Sequence, residues 1–372
     1  MDETITTLIE ENQTLWGTNR QPAGCPQCER VFIVRSNQMG AVCPLCRKGK
    51  LAPQPVRIRP GEPEKWLPFK VGKERLATVY QDCVSSVWIK PQDFTPANLM
   101  SRTVPIFWPL WLVDTDVQGH WQMEAGFDYQ VESTKESYQD GRWVSRRQIE
   151  DRIRWEPRLG EMDTHVDNIP APALEDHRNR IGMTGKYPFE NMQDVNLANL
   201  GDALIECPDL PPEDAWPLAK PNIDQAAAEI CEKAAGAQHQ KNFAIKAKYP
   251  QKNWTQYLLP IFTTHYLDDD GGPQILVVNG LTGQISGPRM ASQKRGLRIA
   301  GILGGVAGLL FILALLGLVL TMVFPPAGIV AALLGILGFG VGIGAIIPAV
   351  WPAQWNRKQA DAPQVAQKGG ST

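Results

Sequence analysis

Apolar residues recur along this chain with helical period in some stretches, with strand period in others, and almost without interruption near its end. In residues 3–16, Ile5, Leu8, Ile9, Leu15 and Trp16 fall near one side of a helix, with Glu10 and Glu11 off that stripe. This amphipathic N-terminal segment, residues 1–20, is too short to be stable alone and is expected to dock, fray or engage a partner. From Gly72 to Trp88, Leu76, Val79, Tyr80, Cys83, Val84 and Val87 share an apolar face, which predicts a second helix.

Strand patterns follow. VPIFWPLWLV (104–113) is dense in aromatic and branched residues, DTDVQG predicts a turn, and HWQMEAGFDYQV the returning strand. Two more strands are expected over 142–155 and 162–169, flanking a turn at 156–160. Ile153 and Trp155 alternate there with Arg152 and Arg154, as in an antiparallel sheet with one wet face. Residues 170–222, rich in Pro, Asp, Asn and Glu, predict loops with short helical turns. Residues 223–247 are alanine-rich, acidic early and lysine-bearing late, which predicts a long helix. Residues 258–287 predict strand, acidic-glycine turn at 268–272, strand, and a tight turn at Asn279-Gly280 or Thr282-Gly283. Segments 109–126 and 260–280 echo one another, which raises a duplicated helix-plus-hairpin unit.

The two longest apolar runs, Ile299 to Phe324 and Ala327 to Val350, carry no charge and are separated by Pro325-Pro326. About 20 apolar residues cross a bilayer core, so a transmembrane helical hairpin over 297–351 is expected. Lys294, Arg295 and Arg298 precede it and Arg357 and Lys358 follow it, which places both termini in the cytoplasm at an inner (plasma) membrane. Gly301 with Gly305, and Gly338 with Gly342, have the spacing that lets helices pack closely within the hairpin or against another membrane protein. Neither span has an ionisable residue, which argues against an ion relay.

Net charge is −2 from 37 basic and 39 acidic residues, which excludes a surface built throughout for nucleic acid. Cysteine changes the picture more. Four of the seven, Cys25, Cys28, Cys43 and Cys46, form C-x2-C-x14-C-x2-C, a spacing that brings four thiolates around one tetrahedral ion. Between them, Val31–Val34 and Met39–Val42 read as short strands, so residues 21–50 are expected to be a zinc ribbon whose closed shell makes Zn2+ structural. A rubredoxin-like iron or a dithiol pair uses the same knuckles. A proline-rich linker, 51–65, follows, then an α+β soluble domain, 66–292, with a polar tail over 352–372 after the hairpin.

Seven basic residues, Arg30, Arg35, Arg47, Lys48, Lys50, Arg57 and Arg59, face one acid, Glu29, over 25–60. That basic surface could contact an anion, a lipid headgroup, a protein partner or nucleic acid, the last disfavoured by membrane anchorage. Asp114-Thr115-Asp116-Val117-Gln118-Gly119 opens like a calcium loop but has Ala125 at the twelfth position, so a hairpin turn is the better account. The histidines show no paired ligand spacing, and no Walker, G-x-S-x-G or dinucleotide motif is present. No motif argues for an enzyme.

The CPQC and CPLC knuckles, LPF at 67–69, VPIFWPLWLVD at 104–114, WEPRLG at 155–160, LLPIF at 258–262 and VVNGLTGQISG at 277–287 occur in an order that resembles a family of uncharacterised bacterial zinc-ribbon membrane proteins. Members are often labelled helicase-like or primosomal, although no ATPase motif accompanies the ribbon here. The resemblance implies an accessory in membrane organisation or stress, with flotillin-like (SPFH) or phage-shock-type partners. One departure is that Glu29 and Arg47 follow the knuckles where the family commonly has glycine.

The expected fold class is thus an α+β membrane protein: a small zinc ribbon, an antiparallel β-hairpin-rich domain and a two-helix C-terminal transmembrane hairpin. The expected function is a non-catalytic, membrane-anchored adaptor or scaffold facing the cytoplasm. A homo-oligomer is compatible with it, and a tethered nucleic-acid binder and an iron redox protein are the alternatives.

Overall fold

A computed structural model describes residues 19–54 and 63–360. Most of the N-terminal segment, the middle of the linker with Arg57 and Arg59, and the last twelve residues of the tail lie outside the described residues. In chain order the elements are β1 (Arg20–Gly24), β2 (Val31–Arg35), β3 (Ala52–Pro53), β4 (Lys65–Trp66), α1 (Lys73–Ser85), α2 (Pro96–Ser101), β5 (Val104–Gln139), β6 (Arg142–Pro172), α3 (His177–Thr184), β7 (Gln193–Asp194), β8 (Leu204–Glu206), α4 (Pro212–Ala235), β9 (His239–Lys248), β10 (Lys252–Leu267), β11 (Pro273–Asn279), β12 (Ile285–Ser286), α5 (Gln293–Leu320) and α6 (Ala327–Ala360). The fold is mixed α+β, and its residues divide between two compact units that interleave in sequence. The first takes the described residues up to Pro109, then Glu175–Asp209 and the described residues from Leu258 on; the second takes Leu110–Leu174 and Leu210–Tyr257.

In the first unit the strand order is β12-β11-β10-β5-β8-β2-β1-β3. Most neighbours are antiparallel, but β5 and β8 run parallel, with Ile106 opposite Leu204. Helix α1 forms where the apolar period predicts it. Leu76, Val79, Tyr80, Cys83 and Val84 are buried, together with Val87 just beyond the helix, against Leu276 and Val278 of β11 and Tyr266 of β10. Thr95 caps α2, its hydroxyl accepting from the Asn98 amide at 3.2 Å.

Helices α5 and α6 are long and apolar enough to cross a membrane, and little of either is buried. At the base of this hairpin Trp351 stacks on Trp355 with centroids 5.2 Å apart and meets Trp88 edge-on at 5.5 Å. Trp355 Nε1 donates to the Arg289 carbonyl at 2.6 Å, and the Asn356 amide side chain bonds both backbone groups of Ala291. These tryptophans, which an interfacial belt would also use, therefore tie α6 to the packed part of the first unit. The helices meet through glycines: a Cβ on Gly296 would lie 2.3 Å from the Pro348 carbonyl, on Gly317 3.1 Å from Ala331, and on Gly338 3.2 Å from Leu310. Gly342 faces Ala307, whereas Gly301 and Gly305 have nothing within 4 Å. The spacing shared by the two glycine pairs thus serves the hairpin in α6 and not in α5.

The second unit is a sheet of β6, β5 and β9 with α4 packed on it. Ala215, Ala219, Ile223, Ala227 and Cys231, four apart along α4, are all buried in this unit's core. Small side chains there let the helix axis approach the strands. The expected turn at 114–119 is a correction: β5 runs straight through it, with only a register irregularity between Val113 and Thr115. The expected turn at 156–160 is likewise strand, Gly160 lying opposite Trp121. The real turn is Asp140-Gly141, both with positive φ (51° and 80°), which suits a two-residue hairpin connection. Because 114–119 is no turn, the echo with 260–280 loses the feature that aligned it.

The long helix expected over 223–247 starts earlier and stops at Ala235, where Gly236 adopts the left-handed conformation (φ 64°). Beyond it Phe243, Ile245 and Ala247 are half-buried while Asn242, Ala244, Lys246 and Lys248 are exposed, a period of two that makes β9. The turn expected at 268–272 is present: Asp268 Oδ1 accepts from the amides of Asp270 and Gly272 at 3.0 and 2.8 Å.

Candidate metal centre

Cys25 follows directly on β1, and Cys28 lies just ahead of β2, so one antiparallel pair carries the first knuckle on its closed end. The second knuckle, Cys43 to Cys46, sits in a tight turn framed by the isolated bridge between Val42 and Lys50. The strand expected over 39–42 is reduced to that bridge, and β1 forms although RQPAG has no strand period. Each knuckle closes on its own backbone: the Glu29 amide donates to the Cys25 carbonyl at 2.9 Å and the Arg47 amide to the Cys43 carbonyl at 3.0 Å. Glu29 and Arg47 have φ of 56° and 59°. The left-handed turn that glycine usually supplies is therefore kept without glycine, at about 1 kcal/mol or more for each residue.

The four sulfurs lie within 4.8 Å of one another and all four cysteines are buried. Cys25 Sγ is 3.6 Å from Cys46 Sγ, and Cys28 Sγ 3.7 Å from Cys43 Sγ. A tetrahedron with metal–sulfur arms of about 2.3 Å has edges of about 3.8 Å, so the spacing fits a single ion. A hydrogen bond from Cys43 lowers the Cys28 thiol to about 6, and the same bond raises Cys43. Burial raises Cys25. A cation held by the four sulfurs would displace the remaining protons. Cys83, Cys207 and Cys231 are buried apart from the cluster, and burial raises each thiol.

Two supports of the site escaped the sequence. A Cβ on Gly49 would lie 2.5 Å from Cys25 Sγ, so only glycine lets that turn pass the ligand. The other is Arg30, expected on a basic surface and in fact 3 % exposed. Its guanidinium donates to Glu206 Oε1 at 2.8 Å and to Asp176 Oδ2 at 2.6 Å. Arg180 completes a tetrad, donating to Asp176 at 2.7 Å and to Glu206 at 2.5 and 2.8 Å, with its guanidinium 4.7 Å from the Trp108 ring. Two guanidiniums and two carboxylates, each at most 6 % exposed, hold the first knuckle against the core. Burial, and secondarily the neighbouring Glu206, push Asp176 up to about 6 against the pull of Arg30.

Arg35 pairs with Asp202 at 2.5 Å, Arg47 is half-buried with burial lowering its pKa, and Lys48 and Lys50 are exposed. His120, His165, His239 and His265 lie on strands and His177 starts α3; none belongs to the four-cysteine cluster, and His165 bonds Asp116 at 2.6 Å and His239 bonds Asp128 at 2.7 Å. Asp114 accepts from the Asn168 amide at 2.6 Å, a cross-strand contact instead of a calcium loop.

Compared with protein-family models, with curated proteins and with solved structures, the chain matches none. What the structure supports is the coarser reading: a four-cysteine cluster positioned for a metal ion and two helices apolar enough to cross a membrane.

Proposed function

We propose that this protein is a non-catalytic, membrane-anchored adaptor whose four-cysteine module holds one structural zinc ion. The closed shell supports this most: four buried thiols at tetrahedral spacing occupy every position around an ion, leaving none for water or substrate. Such a site supplies folding energy to a module of about thirty residues that has little core of its own. The charges flanking the apolar helices, Lys294, Arg295 and Arg298 on one side and Arg357 and Lys358 on the other, favour termini on the cytoplasmic side of an inner membrane. Other membrane proteins are the natural partners, with flotillin-like or phage-shock-type assemblies the first to try. Burial of Arg30 and pairing of Arg35 weaken the nucleic-acid alternative.

Metal analysis and a visible spectrum of detergent-solubilised, affinity-purified full-length protein test this reading together. One zinc per chain, a featureless spectrum, no salt-dependent binding of DNA or RNA and a co-purifying membrane protein are expected. An iron–thiolate chromophore would replace the reading by redox chemistry.

A further inference from the structure

The hairpin β5–β6 outruns the sheet it belongs to. Pairing of β5 with β9 ends at Gly126 opposite His239, and among the described residues no other strand pairs with β6. From the pair Asp128–Ile153 to the pair Gln139–Arg142 the two strands form a free-standing arm, about 40 Å long at ~3.3 Å per residue. Directly opposite residues share a face, so the register assigns every side chain of the arm to one of two surfaces.

One surface carries Asp128, Glu132, Glu136 and Asp151 against a single base, Arg147. It also carries the exposed apolar residues Tyr138, Trp143, Ile149 and Ile153, with exposures of 63, 69, 62 and 39 %. The other surface carries Lys135, Arg142, Arg146 and Arg152 against a single acid, Glu150. The formal charges are −3 and +3. Some are engaged within the unit: Asp128 bonds His239, Asp151 bonds Gln130, and Arg152 pairs with Glu150. The arm as a whole is neutral on its strands, yet its charge is sorted by face.

We propose that this arm stacks on the arm of a second copy of the chain, the acidic, apolar face of one against the basic face of the next. Guanidiniums of Arg142 and Arg146 would then meet the exposed rings of Tyr138 and Trp143 as well as Glu132 and Glu136. Antiparallel edge-to-edge pairing, a common fate of unpaired strands, is opposed here because it extends each surface beside its own kind, acid by acid and base by base. Face stacking along the arm covers roughly 1,000 Å² in total, the lower bound of a specific interface. Since the two faces differ, the contact is head-to-tail and propagates into a ring or a row. It stands independently of the adaptor reading and of the metal.

Sedimentation of the full chain in detergent tests it with two charge-reversed variants at exposed positions: Glu132→Lys/Glu136→Lys/Asp151→Lys and Lys135→Glu/Arg142→Glu/Arg146→Glu. The wild type should self-associate and lose about tenfold or more in apparent affinity at high salt. Each variant alone, now with two faces of one sign, should stay monomeric, and an equimolar mixture should reassociate. A monomeric wild type, variants that assemble as the wild type does, or a mixture that stays dissociated would each overturn the proposal. Recovery in the mixture also separates electrostatics from misfolding.

Discussion

The four-cysteine module and the β5–β6 arm are both built on antiparallel pairing, yet they are held in opposite ways. The module is fastened by long-range links: Arg30 reaches Asp176 and Glu206, 146 and 176 residues away, and Arg20 donates to the carbonyls of Gly201 and Ala203. Strand β2 also pairs with β8 through Phe32 and Ile33. The arm depends on its own register, each residue meeting the one opposite, and its residues from 128 to 153 belong to none of the buried clusters. A part held by distant partners should fail cooperatively with them; a part held by local pairing should fail alone or not at all.

The largest effect belongs to the ligands. Cys25→Ser/Cys43→Ser should abolish metal binding, seen as loss of stoichiometric metal and of the module's protection from proteolysis, because metal binding and folding of such a module are one equilibrium. The arm should give the same proteolytic fragments as in the wild type. Next comes the tetrad. Arg180→Ala leaves Asp176 and Glu206 with one guanidinium between them in a water-poor site and should cost about 3–5 kcal/mol in denaturant unfolding. Loosening of the metal module should accompany it, read as faster metal transfer to a chelator.

Gly49→Ala sharpens the comparison within the module, since the added methyl must displace the Cys25 sulfur. A loss of about ten- to a hundredfold in metal affinity is expected, of the order seen when the support of a ligand is disturbed. Glu29→Gly is the counterpart: it removes a left-handed non-glycine residue and should keep or slightly raise stability, by up to about 1 kcal/mol. If both glycine changes behave alike, steric support of Cys25 is not the cause.

Much of this was readable from sequence where a single element decides its own state. The apolar face of α1, the cysteine spacing and the two charge-free helices each declare themselves locally. DTDVQG has turn composition but lies within β5, and the stronger turn signal, Asp140-Gly141, makes the hairpin connection. Composition could not show that Val104 to Gln139 forms one strand, since its exposed half needs no apolar alternation. The burial of Arg30 is hidden for a different reason: an arginine beside a knuckle is identical in sequence whether it faces water or two carboxylates from far along the chain.

The pH dependence separates two buried groups of the first unit by sign. Burial, then the nearby Arg47 and Arg102, lower His265 to about 4, so the unfolded chain binds its proton more readily and stability falls as pH drops from about 6.5 to 4. Asp176, raised to about 6, acts the other way: its contribution is full below about 4 and is lost as pH rises through 6. The two partly cancel in the wild type. In urea titrations from pH 4 to 7, His265→Asn should flatten acid destabilisation and Asp176→Asn should steepen it; equal slopes in all three proteins would contradict the assignment.

The smallest expected effect tests the arm. Removing residues 130–137 together with their opposite numbers 144–151 joins Tyr129 to Tyr138 and Trp143 to Arg152, keeps the Asp140-Gly141 turn and, being even in number, keeps every remaining side chain on its face. No residue of a buried cluster is lost and no link to the tetrad or the cysteines is cut. Thermal midpoint and metal content should therefore match the wild type within about 0.5 kcal/mol, as for surface changes that disturb no packing. Self-association through the arm should nevertheless weaken, since two thirds of the stacking surface goes. A shortened arm that lowered global stability by several kcal/mol would mean that its strands are fastened as the module is, by partners other than each other.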